Sequence, residues 1–114
     1  MAHEKYQDCI DACVACATEC EHCATACLGE EDVKMMTRCI QLDRDCAKIC
    51  FTAAAFMASD SQFATQICAL CADICDACGA ECEKHAGHHD HCRQCAEACR
   101  KCAEACRSMV GMRA

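Results

Sequence analysis

Eighteen of the nineteen cysteines in this 114-residue chain lie three or four residues from the nearest neighbouring cysteine. That interval is the repeat of one face of an α-helix, so the thiols occupy the positions where a helical protein normally places leucine. In the first third they stand at Cys9, Cys13, Cys16, Cys20, Cys23 and Cys27, in steps of 4, 3, 4, 3 and 4, the rhythm of an a/d seam. A second stripe is sparse, with Cys39, Cys46 and Cys50. A third carries Cys68, Cys71, Cys75, Cys78 and Cys82, and a fourth Cys92, Cys95, Cys99, Cys102 and Cys106.

Composition narrows what such stripes can mean. Five Ile, three Leu, three Val and three Phe cannot fill the interior of a chain this long, so reduced cysteine, a small hydrophobe, must supply much of it. Disulfide-dense miniproteins are loop-rich, whereas this chain has no proline, four glycines and 22 alanines. The polar start, Met1 to Asp8, and the lack of a long apolar run lead us to expect no signal segment and no membrane span. A cytosolic chain with thiols held reduced is the corresponding expectation. A formal net charge of −7 argues against nucleic acid and anionic membrane as partners, both of which are bound by basic patches.

The alanine-rich pattern breaks at three places, which predicts four helices at about 6–28, 32–58, 60–86 and 89–110. Gly29 is expected to take a left-handed C′ position, with the acidic run Glu30-Glu31-Asp32 at the positive end of the next helix. Ser59 and Gln62 fit a capping box, and Asp90, beyond Gly87, fits a cap. Connections this short force neighbours antiparallel. The predicted fold is therefore an all-α, up-down-up-down four-helix bundle, one domain over 1–114, with a cysteine-lined interior. Exposed faces carry charge pairs such as Glu97 and Lys101.

Cysteines four apart on a helix bring their Cβ atoms within about 5–6 Å, close enough for two sulfurs to share an ion. The chain has eight such pairs, among them Cys9/Cys13, Cys46/Cys50 and Cys102/Cys106. Thiolates select Cu(I), Zn(II) and iron–sulfur clusters over hard cations. Charge then separates these three. Cu(I), taking two or three sulfurs, can enter at nearly one ion per thiol and leave the interior close to neutral. Isolated tetrahedral Zn(II) uses four thiolates, so about four ions would leave roughly eleven charges uncompensated. Ferredoxin-type C-x₂-C-x₂-C spacing is absent. Two readings compete with Cu(I): a zinc or cadmium thionein-like buffer, and a thiol redox protein. For the latter, CxxC recurs six times but never at the start of a helix in a βαβ unit. Two or three buried cysteines would be ordinary core; nineteen on four stripes are not.

The two ends of such a bundle differ. The 28–32 and 86–89 connections share one end with Met35, Met36, His85, His88, His89 and His91. Met36, His85 and His88 lie three or four residues from Cys39, Cys82 and Cys92 and extend the stripes outward, which makes them candidate ligands where ions arrive and leave. Tyr6, Phe51, Phe56, Met57, Phe63 and Met109 gather at the opposite end as an apolar plug. Between Cys39 and Cys46 the stripe predicts an inward Asp43, a candidate ligand, unless a helix rotation brings Leu42 inward instead. His22 falls off the stripe and reads as a surface residue.

Together, the CxxxCxxCxxxC runs on four striped helices and the His-bearing end resemble the bacterial copper storage proteins, specifically their cytosolic branch, over essentially the whole chain. The resemblance implies a four-helix bundle that fills with many Cu(I) ions on thiolates, has no catalytic residues and forms a homotetramer. No chaperone or acceptor surface is marked in the sequence. The sparse second stripe bears most directly on capacity.

Overall fold

The computed structural model describes residues 6–112, with side chains through residue 110. Four α-helices follow one another: α1 Gln7–Leu28, α2 Thr37–Ala58, α3 Ala64–His85 and α4 Asp90–Met112, with a 3-10 helix, Val33–Met36, leading into α2. Each helix packs on its two neighbours in chain order, and α4 closes the ring against α1. At 1.5 Å per residue, helices of 22 and 23 residues are about 33 Å long. With the connections at each end, the bundle measures 47 × 19 × 17 Å.

All nineteen cysteines point inward, none more than 3% exposed. Alanines beside the stripes, including Ala17, Ala47, Ala72, Ala96 and Ala103, are buried where helices meet. Ile10, Ile40, Leu42, Ile49, Phe56, Ile67 and Ile74 flank this core half-buried. The hydrocarbon thus forms a sleeve around a sulfur centre, the reverse of an ordinary bundle.

Helix ends depart from the sequence expectation in three places. Gly29 is right-handed, at φ −91°, because the chain leaves α1 through successive tight turns toward the 3-10 helix instead of reversing direction there. Ser59 and Gln62 do not cap α3. Ser59 ends α2, Asp60 takes the left-handed conformation at φ 53°, and the Asp60 and Ser61 N–H groups donate to the carbonyls of Met57 and Phe56. That is a Schellman closure with aspartate in the usual glycine position. The Ser61 hydroxyl accepts from the Phe63 N–H, and α3 begins at Ala64, four residues later than predicted. Asp90 opens α4, but its carboxylate accepts from Arg93 and Gln94 side chains. Arg93 also takes Glu97, at 2.9 Å, in place of the expected Lys101 pairing.

The apolar plug is partial. Met57 is fully buried and Tyr6, Phe56 and Met109 pack against the core, while Phe51 and Phe63 are about half exposed. Phe51 precedes the buried pair Ala53 and Ala54 by a rotation that carries it onto the outer face of α2.

Close approach of α3 and α4 depends on Gly79. A Cβ there would lie 3.3 Å from the Cys99 Cβ and 3.8 Å from the Ala96 carbonyl oxygen. Arg100 to Glu83 and Arg107 to Asp76, both 2.6 Å, tie the same helices at the surface. Such exposed pairs contribute only tenths of a kcal/mol each. Gly79→Leu should force the helices apart and cost about 2 kcal/mol, lowering the melting temperature by about 8 °C. Thermal unfolding followed by circular dichroism checks this, and an unchanged midpoint would contradict the close approach.

Candidate metal centre

Helical periodicity aims the four stripes at one axis, and the sulfurs meet there as a column. At the plugged end Cys106 Sγ lies 3.7 Å from both Cys9 and Cys13, and Cys102 lies 3.6 Å from Cys13. The path continues from Cys102 to Cys50, and from Cys50 to Cys71 and Cys75, all at 3.7 Å. Cys46 joins Cys75 at 3.6 Å, Cys16 at 3.8 Å and Cys99 at 4.0 Å. Cys20 then links Cys99, at 3.9 Å, to Cys95, at 3.7 Å. No pair is joined as a disulfide: all nineteen thiols are free and buried.

These contacts create sets of four thiols in which every sulfur lies within 4.8 Å of the others. They include Cys13/Cys71/Cys102/Cys106, Cys16/Cys46/Cys50/Cys75, Cys20/Cys78/Cys95/Cys99 and Cys23/Cys27/Cys39/Cys92. With a metal–sulfur bond of about 2.3 Å, tetrahedral and trigonal sites need sulfurs about 3.8 and 4.0 Å apart. The observed 3.6–4.0 Å contacts suit either. Geometry admits soft ions in general, and the charge balance of a dry interior favours monovalent ones. Burial also opposes bare thiolates at the far end: desolvation, first of all, pushes Cys27 up to about 12 and moves Cys92 in the same direction.

Asp43 interrupts the column as a fully buried carboxylate on α2, and Leu42 stays at the flank. The thiols of Cys78 and Cys95 donate to its Oδ1 at 3.2 and 3.3 Å, Cys82 at 3.6 Å, and Cys39 to Oδ2 at 3.8 Å. Burial, first of all, pushes its carboxyl from 3.8 to about 9. At neutral pH the metal-free interior therefore contains a carboxylic acid surrounded by thiols.

The open end differs in detail from the sequence reading. His91 is the imidazole brought to the thiols, with Nδ1 3.4 Å from Cys23, 3.5 Å from Cys92 and 4.0 Å from Cys27. His85 turns instead to Glu81, with Nε2 3.1 Å from Oε2, and His88 is exposed. Met36 is fully buried and Met35 is 71% exposed. His22 faces solvent.

Glu81 and Glu30 are residues of this end that the sequence reading did not single out as site candidates. Glu81, only 7% exposed, gathers Arg38 and Lys84 as well as His85. Its place immediately before Cys82 was the available cue. Glu30 and Asp32, read as helix-end charges, hold His89 between them.

A family model described as copper storage protein matches residues 2–111. A cysteine-rich protein of Bacillus subtilis is 55% identical over 94 residues, covering 82% of this chain and 85% of its own. Among solved structures, the Cu(I)-bound copper storage protein BsCsp3 is 55% identical, with a TM-score of 0.86 and coverage of 91% of this chain and 96% of that one. A cytosolic copper storage protein from Streptomyces lividans, with five coppers, is 42% identical, with a TM-score of 0.92 and coverage of 96% and 95%.

Proposed function

Because the chain belongs to the copper storage protein family, we propose that it is a high-capacity store in which Cu(I) ions occupy the thiol column of the bundle. The observation that carries this reading is the run of buried free thiols at 3.6–4.0 Å from Cys106 to Cys95, with a further thiol group beyond Asp43 at Cys23, Cys27 and Cys92. Each monovalent ion that replaces a thiol proton keeps the interior neutral, so loading releases about one proton per ion. The role is one of holding, in keeping with the family description.

Ions enter at the end bearing His91, where an imidazole touches three thiols, and pass inward by exchange between neighbouring sulfurs. Met36, His85, His88 and Asp43 are kept as candidate secondary ligands. The Streptomyces relative is cytosolic, and a reducing cytosol suits nineteen free thiols. No helix among the described residues is long and apolar enough to cross a membrane. For the homotetramer that the resemblance implies, Phe51, Phe63 and Leu70 offer exposed apolar surface.

Anaerobic titration of the reduced protein under chelator competition tests the store. Cu(I) should reach a plateau near one ion per thiol, and Zn(II) at about four to seven. Saturation at a few Cu(I), or displacement of copper by zinc, would overturn it in favour of a divalent buffer. Turnover of a disulfide substrate would favour a redox protein.

A further inference from the structure

Above the thiol column, at its open end, lies a cluster of nitrogen and oxygen donors without sulfur among its converging atoms. Glu30 comes from the α1–α2 connection, His89 from the α3–α4 connection, and His91 from the first turn of α4. Glu30 Oε2 contacts His89 Nδ1 directly and stands 3.7 Å from His91 Nε2. One carboxylate oxygen therefore sits between two imidazole nitrogens, whose rings are 5.3 Å apart, centre to centre. The outer nitrogen of each ring is held as well: His89 Nε2 by Asp32 Oδ2 at 3.3 Å, and His91 Nδ1 by the Cys23 and Cys92 thiols. The side chains of His89 and His91 are only 13% and 14% exposed. His91 Nε2 is itself buried and has no hydrogen-bond partner.

Two imidazoles and a glutamate make a recurrent donor set for zinc. A carboxylate behind a ligating histidine, as Asp32 stands behind His89, is the usual means of fixing the ring for a metal. Charge agrees, since Glu30 and Asp32 together balance a doubly positive ion. Softness agrees too: these donors suit a borderline divalent cation, whereas Cu(I) is better satisfied by the thiols beneath.

We propose that His89 Nδ1, His91 Nε2 and Glu30 bind one borderline divalent cation of the zinc class, oriented by Asp32, over the mouth of the thiol column. Such an ion stands in the exit path and retains the copper below. The retention role rests on the storage reading; the cation site does not.

The test uses protein loaded anaerobically with Cu(I) to its measured plateau, so that a failure of the storage reading shows at that step. Co(II), the spectroscopic substitute for zinc, is then added. One equivalent should bind, giving ligand-field bands without sulfur-to-cobalt charge transfer. Glu30→Gln and Asp32→Asn should each weaken binding at least about tenfold. His22→Ala should leave it unchanged. No cobalt bands, intense thiolate charge transfer, or wild-type affinity in Glu30→Gln would each overturn the site. With Zn(II) present, transfer of Cu(I) to excess chelator should slow about tenfold in the wild type and not in Glu30→Gln. Equal slowing in both would overturn the retention role.

Discussion

Asp43→Asn should abolish a steep pH dependence in the stability of the metal-free bundle. Below about pH 4 both the folded and the unfolded chain hold the Asp43 proton. From there to about 9 only the folded chain does, because burial, first of all, raises its carboxyl from 3.8 to about 9. The folded state binds more protons throughout that window, so stability falls as pH rises, by up to about 1.4 kcal/mol per pH unit. Between pH 4 and 7 the loss approaches about 4 kcal/mol, a large part of the stability of a small domain. Asparagine is neutral at every pH and still accepts hydrogen bonds from the Cys78 and Cys95 thiols. Urea unfolding under reductant at pH 4.5 and 7.5 should show the wild type losing stability and the variant nearly constant. Parallel slopes in both proteins would place the proton elsewhere.

A second large effect is expected at the waist of the column. Cys46 and Cys50 are the inward thiols of α2 that join its two halves, through Cys16, Cys75 and Cys99 on one side and Cys71 and Cys102 on the other. Each Cu(I) takes two or three sulfurs and each sulfur serves more than one ion, so removing a junction disturbs every ion that shares it. The Cys46→Ala, Cys50→Ala double variant should bind about four or more fewer Cu(I), against about two fewer for Cys9→Ala, Cys68→Ala at the plugged end. Native mass spectrometry of the loaded proteins measures both. Equal losses would mean that each thiol pair holds its own ion without bridging.

The stripes were legible because the helical period leaves no freedom: steps of three and four residues must share a face, and a face rich in thiols and alanine is the one that packs. Asp43 was legible for the same reason, four residues after Cys39 and three before Cys46. Its burial, with Leu42 at the flank, follows from the thiols that surround it. The helix ends were less accessible, since the closure at Asp60 depends on a left-handed backbone that aspartate adopts only when the following turn demands it. The mouth was least accessible. Counting along one helix favoured His85 and His88, whereas His91 reaches thiols of α1 across the bundle, a contact that no spacing within α4 encodes. The pairing of Glu30 and Asp32 with His89 likewise joins connections 57 and 59 residues apart.

Met57, Phe56 and Tyr6 pack over the end of the column opposite the histidines, where Phe51 and Phe63 stay about half exposed. On the storage reading, the ions held nearest the histidines should be the first available to leave. A store of this shape would then hold a quickly exchanged fraction beneath the histidines and a slower reserve near Cys9 and Cys106.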